Sequence, residues 1–541
     1  MTTISGQLID IAQKEIYPAK IEIAKGRIIN IEKTNLAPDQ FILPGFVDAH
    51  VHIESSMLVP SEFARMAVVH GTVGTISDPH EIGNVLGVKG VEYMIDNGKE
   101  VNFKFYFGAP SCVPATPFET AGAEISVSDV EYLLQKKEIV YLAEMMNWPG
   151  VLFKDQTVYD KLAIAKKLGK PVDGHAPGLK GEQAQQYAAA GISTDHECFT
   201  AQEALDKLNS GMKIMIREGS AAKNFEALIP LLDEHYAHMM FCSDDKHPDN
   251  LEEGHINLLV KRALAQGIDL YKILQAACIN PVQHYGMEVG LLQQGDPADF
   301  IVIDNPDDFN VLETWINGQL VAHKGKSMIE SLPVSVINNF DCLPKSPEDF
   351  KVTITGSKVN VMEALEGQLI TNLLQYDSLL IDNPQQTNTD QDLLKVAVIN
   401  RYQEAKPSIG YIKNIGLKSG AIASSVGHDS HNIIVVGVDD ESICRAVNLI
   451  IAARGGVSAI KDDQQKLLKL PVAGIMSDQD GYQVAKSYAE IDAFAKSLGS
   501  PLDSPFMTLS FMALLVIPKA KMSDMGFFDG EKFEFMKVFE D

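Results

Sequence analysis

The chain has no Cys-x-x-Cys pair. Its six cysteines (Cys112, Cys198, Cys242, Cys278, Cys342 and Cys444) are scattered along 541 residues, which excludes a disulfide framework or structural zinc knuckle and points to a reducing compartment. Positive charge is scarce: 46 Lys and Arg against 72 Asp and Glu leave a formal net charge of −26. That balance argues against nucleic acid as a partner, because phosphate binding needs concentrated cations. No basic segment followed by an apolar stretch opens the chain, so no signal peptide is expected. No apolar run is long enough to cross a bilayer. The reading is a soluble, cytoplasmic protein. Phosphate-loop signatures are also missing. Lys324-Gly325-Lys326-Ser327 lacks the glycine a Walker A loop carries five residues earlier, and no GxGxxG follows a strand.

What is present is a pair of histidines at the end of an apolar run, Leu43-Pro44-Gly45-Phe46-Val47-Asp48-Ala49-His50-Val51-His52. Side chains at i and i+2 of a strand share a face, so His50 and His52 can grip one metal ion together. Alone, a His-x-His pair is weak, since paired histidines also occur on solvated strands. Further candidate ligands follow it at intervals.

A chain of 541 residues is too long for one hydrophobic core, so two or three domains are expected. Strand signals at Ile4 to Ile11, Lys20 to Ile23 and Arg27 to Glu32 are matched by others at Ala298 to Asp304 and Val311 to Gly318. These predict a composite β-sandwich built from residues 1–43 and 285–335. Between them, 44–284 alternates strand-like and helical segments. Candidate strands end at His52, Ile76-Ser77, near Phe105 to Phe107, and at Glu144, His175, His196, Met215-Ile216 and Ser243-Asp244. Eight such units in about 240 residues predict a (β/α)8 barrel, with its chemistry at the C-terminal ends of the strands. Residues 336–541 predict a C-terminal α+β domain, with helices at Asp390 to Glu404, Ser442 to Arg454 and Gly481 to Leu498 and a strand at Asn432 to Val438. The fold class is α/β throughout its catalytic part.

Four residues join the histidine pair. Glu144 sits in the apolar stretch Tyr141-Leu142-Ala143-Glu144-Met145-Met146, where a carboxylate is expensive unless a metal or a base pairs it; a structural salt bridge is the bland alternative. His175 precedes a Pro-Gly turn, His196 ends a short β-prone run, and Asp244 closes the last strand. Asp245 competes with Asp244, but strand alternation predicts that only one of the two faces inward. Four histidines and two carboxylates are too many for one tetrahedral ion. They suit two adjacent divalent metals bridged by Glu144. A water shared by two ions falls in pKa from about 15.7 toward ~7, as on a single zinc. Asp244 would take its proton and pass it to the leaving group. This is a hydrolase design.

These residues resemble the amidohydrolase superfamily: the Pro-Gly-Phe-Val-Asp-Ala-His-Val-His strand, then His, His and Asp at strands five, six and eight. Within it, the chain resembles the bacterial adenine deaminase family. The matching segments are His50 to Ser56, Ser77 to Asn84, Gly174 to Leu179, Met215 to Ser220 and Cys242 to Asp245, continuing through Gly427 to Asn432 and Ala453 to Gly456. The resemblance implies hydrolysis of adenine to hypoxanthine and ammonia as a step of purine salvage. It also implies manganese or iron(II), with zinc an alternative, and a homodimer. For that reaction Arg217 and Glu218 are candidates to hold the base, and Glu81 and His80 candidates for the acid or its support. A loop ion pair is the alternative for each. His428-Asp429-x-His431 reads equally as a lid, another metal site or a polar loop. Relatives that cleave cyclic amides bridge their metals with a carboxylated lysine, where this chain has Glu144. N-acetyl-sugar deacetylation would need a phosphate grip that the sequence does not display. A metal-free scaffold of the same fold would not need all six ligands.

Overall fold

A computed structural model describes residues 1–381 and 387–541. Four N-terminal strands open the chain: β1 (Thr2–Asp10), β2 (Glu15–Ala24), β3 (Arg27–Lys33) and β4 (Phe41–Pro44). Lys25 and Gly26, both with positive φ, make the tight turn between β2 and β3.

The next eight strands form the barrel: β5 (Phe46–Val51), β6 (Thr72–Ser77), β7 (Lys104–Ala109), β8 (Ile139–Met145), β9 (Val172–Gly174), β10 (Thr194–Asp195), β11 (Lys213–Arg217) and β12 (Met239–Cys242). All pair in parallel within two runs, β5 to β9 and β10 to β12. The Ser193 amide bonds to the Val172 carbonyl at 2.8 Å and joins the runs. The ring closes where the Asp244 amide donates to His50 O at 2.9 Å and the His52 amide to Asp244 O at 3.3 Å. Every residue of β5, β6 and β12 is buried, as parallel strands covered by helices require. Ring closure matters for function, because it brings strand ends distant in sequence to one mouth.

After the barrel, β13 (Phe300–Ile303), β14 (Val311–Ile316), β15 (Gln319–His323) and β16 (Lys326–Ser327) return to the N-terminal strands. β13 pairs with β4, so the two segments form one continuous eight-stranded sheet in the order β16-β15-β14-β13-β4-β1-β2-β3. Ile21, Ile23, Ile42, Phe300 and Val302 bury against one another across it.

The C-terminal part carries a nine-stranded, mainly antiparallel sheet with helices at Asp440–Ala453, Gly481–Ser497 and Pro505–Phe511. Asp439 and Asp480 cap the first two, each accepting from backbone amides of the first turn. The helix expected over Asp390 to Glu404 is not formed. Leu394–Ile399 is a strand there, paired on both edges and buried on both faces. A strand covered on both faces loses the two-residue alternation that distinguishes it from a buried helix. This domain reaches the barrel mouth at several points: Asp480 pairs with Arg65, the Gly481 amide with Glu62, and Asp524 with Thr120. No helix of the described residues is long and apolar enough to cross a membrane.

Candidate active site

The six expected ligands converge at the C-terminal ends of the barrel strands, all buried. His50 Nε2 and His52 Nε2 face each other at 3.1 Å. Asp244 Oδ1 lies 3.5 Å from the first and 3.1 Å from the second. On the other side, Glu144 Oε2 lies 2.8 Å from His175 Nδ1 and 3.1 Å from His196 Nε2. Its second oxygen, Oε1, lies 3.5 Å from His52 Nε2. Glu144 therefore touches both groups with different oxygens. Neither His196 Nδ1 nor His175 Nε2 has a hydrogen-bond partner among the described residues. Buried imidazole nitrogens are normally satisfied, and two ring nitrogens 3.1 Å apart share at most one proton. Orphaned imidazoles beside shared carboxylates form a donor set that fits a pair of divalent cations.

Electrostatics support ionised carboxylates there. Burial works against the Glu144 carboxylate, but His175 and His196 hold it well below the usual range. Burial likewise opposes Asp244, and Arg217, followed by His50 and His52, outweighs it. Behind the ligands, Asp48 accepts from His255 Nε2 at 2.8 Å and from the Ser243 amide at 3.0 Å. Asp195 takes the charge of buried Lys207 at 3.2 Å. These partners orient the strand ends from behind.

The expectation that only one of Asp244 and Asp245 faces inward fails. β12 ends at Cys242, and Asp244 has a φ of 55°, outside the strand region. Alternation stops there, so both carboxylates line the pocket. Burial, then the neighbouring charge of Asp244, pushes the Asp245 carboxyl up.

His80 and Glu81 lie at the mouth as expected, at the start of the helix His80–Leu86. Arg217 and Glu218 do not reach the pocket. Arg217 is fully buried behind it, bonded to Asp244 at 2.8 Å and to Glu197. Glu218 turns outward to Arg262 at 2.6 Å. Strand β11 explains the difference, since adjacent side chains at its end point to opposite sides.

Several wall residues escaped the sequence reading. Glu197 follows His196 and lines the pocket. Asp78 lies 3.3 Å from His80 Nδ1. The C-terminal domain supplies His428, Asp429, Leu369, Phe511 and Leu514 to a tight cavity of about 20 Å³. His428 stacks on Phe511 with ring centroids 5.1 Å apart, and its Nδ1 meets Glu81. His431 Nε2 reaches the other Glu81 oxygen at 2.5 Å. The sequence had flagged His428-Asp429-x-His431 as a motif, but only the fold connects it to Glu81.

Residues 41–321 match the amidohydrolase family, and residues 368–534 match the adenine deaminase C-terminal domain. A protein of Salinibacter ruber named adenine deaminase is 52% identical over 541 residues, covering 100% of this chain and 99% of that protein. The like-named protein of Borreliella burgdorferi is 50% identical, over 98% of this chain and 99% of that one. That of Methanosarcina mazei is 47% identical over the full length of both.

Proposed function

The chain belongs to the adenine deaminases of the amidohydrolase family, and on that premise we propose that it hydrolyses adenine to hypoxanthine and ammonia at the site around Glu144. The observation that carries this reading is the sharing of Glu144, with Oε1 toward His52 and Oε2 toward His175 and His196. His50, His52, Glu144, His175, His196 and Asp244 would hold two divalent cations, whose chemistry when bound would be to lower the pKa of water toward ~7. Manganese or iron(II) is the proposed pair, and zinc suits the same donors.

The residues have distinct roles. Asp244 accepts a proton from the attacking water and delivers it to the departing amine, its carboxylate aimed by Arg217. Water adds at C6 as the N1–C6 double bond becomes single and N1 gains a proton; when ammonia leaves, the C6 hydroxyl returns its proton to the carboxylate that protonated N1 and becomes the carbonyl. Asp245, whose carboxyl holds its proton more tightly than usual, is the donor for N1. Glu197 has one oxygen bound to Arg217 and the other, Oε2, buried with no hydrogen-bond partner among the described residues, an acceptor for an N–H of the purine. Phe511, Leu369 and Leu514 cover the flat faces of the base. Glu81 supports this wall rather than delivering the proton, because His428 and His431 hold its carboxyl well below its usual range against burial.

We also propose a cytoplasmic homodimer; its six cysteines are all buried and unpaired. Light scattering on a sizing column checks the dimer.

The deciding experiment is ammonia release by manganese-loaded protein with adenine, adenosine, cytosine, dihydroorotate and N-acetylglucosamine 6-phosphate. Turnover of adenine alone is expected. Asp244→Asn should keep most of its metal and lose ~10²–10⁴-fold in kcat, the usual contribution of acid–base catalysis. Full activity in that variant would refute the proton-transfer role.

A further inference from the structure

We propose that His80, Glu81 and Asp429 form a third divalent-cation site, distinct from the two that share Glu144, which clips the C-terminal domain to the barrel mouth. The proposal rests on the two-cation reading only for its neighbours, not for its own donors.

Four carboxylates surround the single imidazole of His80. Its Nδ1 lies 3.3 Å from Asp78 and 3.4 Å from Glu144, and its Nε2 lies 3.6 Å from both Glu81 Oε1 and Asp429 Oδ1. All five residues are buried. A separation of 3.6 Å is too long for a hydrogen bond between these atoms. A protonated imidazole has only two N–H groups, too few for four acids, and buried charges require pairing. His428 and His431 serve Glu81, but Asp429 Oδ2 and Asp78 Oδ2 have no hydrogen-bond partner among the described residues.

A cation resolves this. The donor atoms of His80, Glu81 and Asp429 lie within 4.8 Å of one another. Two edges of 3.6 Å and a third no longer than that limit enclose a point ~2.1–2.4 Å from each donor, the range of divalent metal bonds to nitrogen and oxygen. One imidazole and two carboxylates suit a borderline ion such as Mn²⁺, Fe²⁺ or Zn²⁺. The site is separate because His80 turns Nδ1 toward Glu144 and Nε2 away from it. It also joins two domains, since His80 and Glu81 follow strand β6, whereas Asp429 lies about 350 residues further along the chain. Asp429 adjoins His428, which stacks on Phe511, so an ion at Asp429 holds the pocket wall in place.

The test is metal stoichiometry on the full chain. Protein stripped by chelator and dialysed against Mn²⁺ is measured by mass spectrometry of the metal, alongside Asp429→Asn and Glu81→Gln. Three ions per chain are expected in the parent and two in each variant, with the third anomalous peak in manganese-loaded crystals between the three side chains. Two ions in the parent, with adenine turnover intact, would overturn the third site and leave the two-cation reading standing. Fewer than two would overturn both. Three ions in the parent and in a folded variant would also overturn the proposal, because the extra ion would lie elsewhere. Should Asp429→Asn not fold, Glu81→Gln and the parent's anomalous peaks decide.

Discussion

Arg217 Nη1 donates to Asp244 Oδ2 across 2.8 Å, with both side chains buried and the same guanidinium also bonded to Glu197. The arginine therefore acts on substrate only through these two carboxylates. Arg217→Gln would remove the guanidinium that the two share. Removing one member of a buried pair costs about 3–5 kcal/mol. Lower thermal stability and a large drop in kcat are expected, with KM little changed. A raised KM at constant kcat would make Arg217 a substrate contact after all.

Glu144 touches both halves of the site, one with each oxygen. Glu144→Gln should weaken binding of both catalytic cations together, since an amide is a poorer ligand and cannot bridge as a carboxylate does. Titration with Mn²⁺ followed by metal analysis measures this. Unchanged content would reduce Glu144 to a structural ion-pair partner.

Phe511 belongs to the C-terminal domain yet lines the pocket. Aromatic stacking contributes ~0.5–1.5 kcal/mol beyond area burial, so Phe511→Ala should raise KM for adenine by roughly tenfold. Metal content should stay the same. An unaltered KM would remove this wall from base recognition.

Lys521 is buried, and its ammonium donates to the carbonyls of Leu369 and Phe511 at 2.7 and 2.8 Å. Burial pushes its pKa down to about 7, from 10.5. Between these values the unfolded chain binds the proton and the folded chain does not. Stability therefore gains from this group as pH rises from about 7 toward 10, by at most ~1.4 kcal/mol per pH unit. Below pH 7 both states are protonated and the contribution is flat. Lys521→Met should lose that slope in urea unfolding between pH 7 and 9. Parallel slopes for parent and variant would contradict the buried-lysine assignment.

The strand ends were legible where local pattern and burial coincide. Apolar runs finishing at His52, Ser77, Phe107, Glu144, His175, His196, Ile216 and Asp244 mark eight parallel strands, and those strands do close into a ring. The same rule failed at Leu394–Ile399, where covering on both faces removes the alternation that tells strand from helix. It failed again at Asp245, because alternation ends when the backbone leaves the strand region at Asp244.

The sequence by itself determined the succession of strand ends and the His and carboxylate residue types placed at them, since each of these depends on spacing within a few residues. Only the tertiary structure decided which neighbours of those ligands meet. It set Arg217 behind Asp244, turned Glu218 to Arg262, and brought His428 and Asp429 from the far domain onto Glu81 and His80. Pairings across hundreds of residues leave no local period to read. They follow from how the barrel closes and how the last domain packs on its mouth, which are properties of the whole chain's packing.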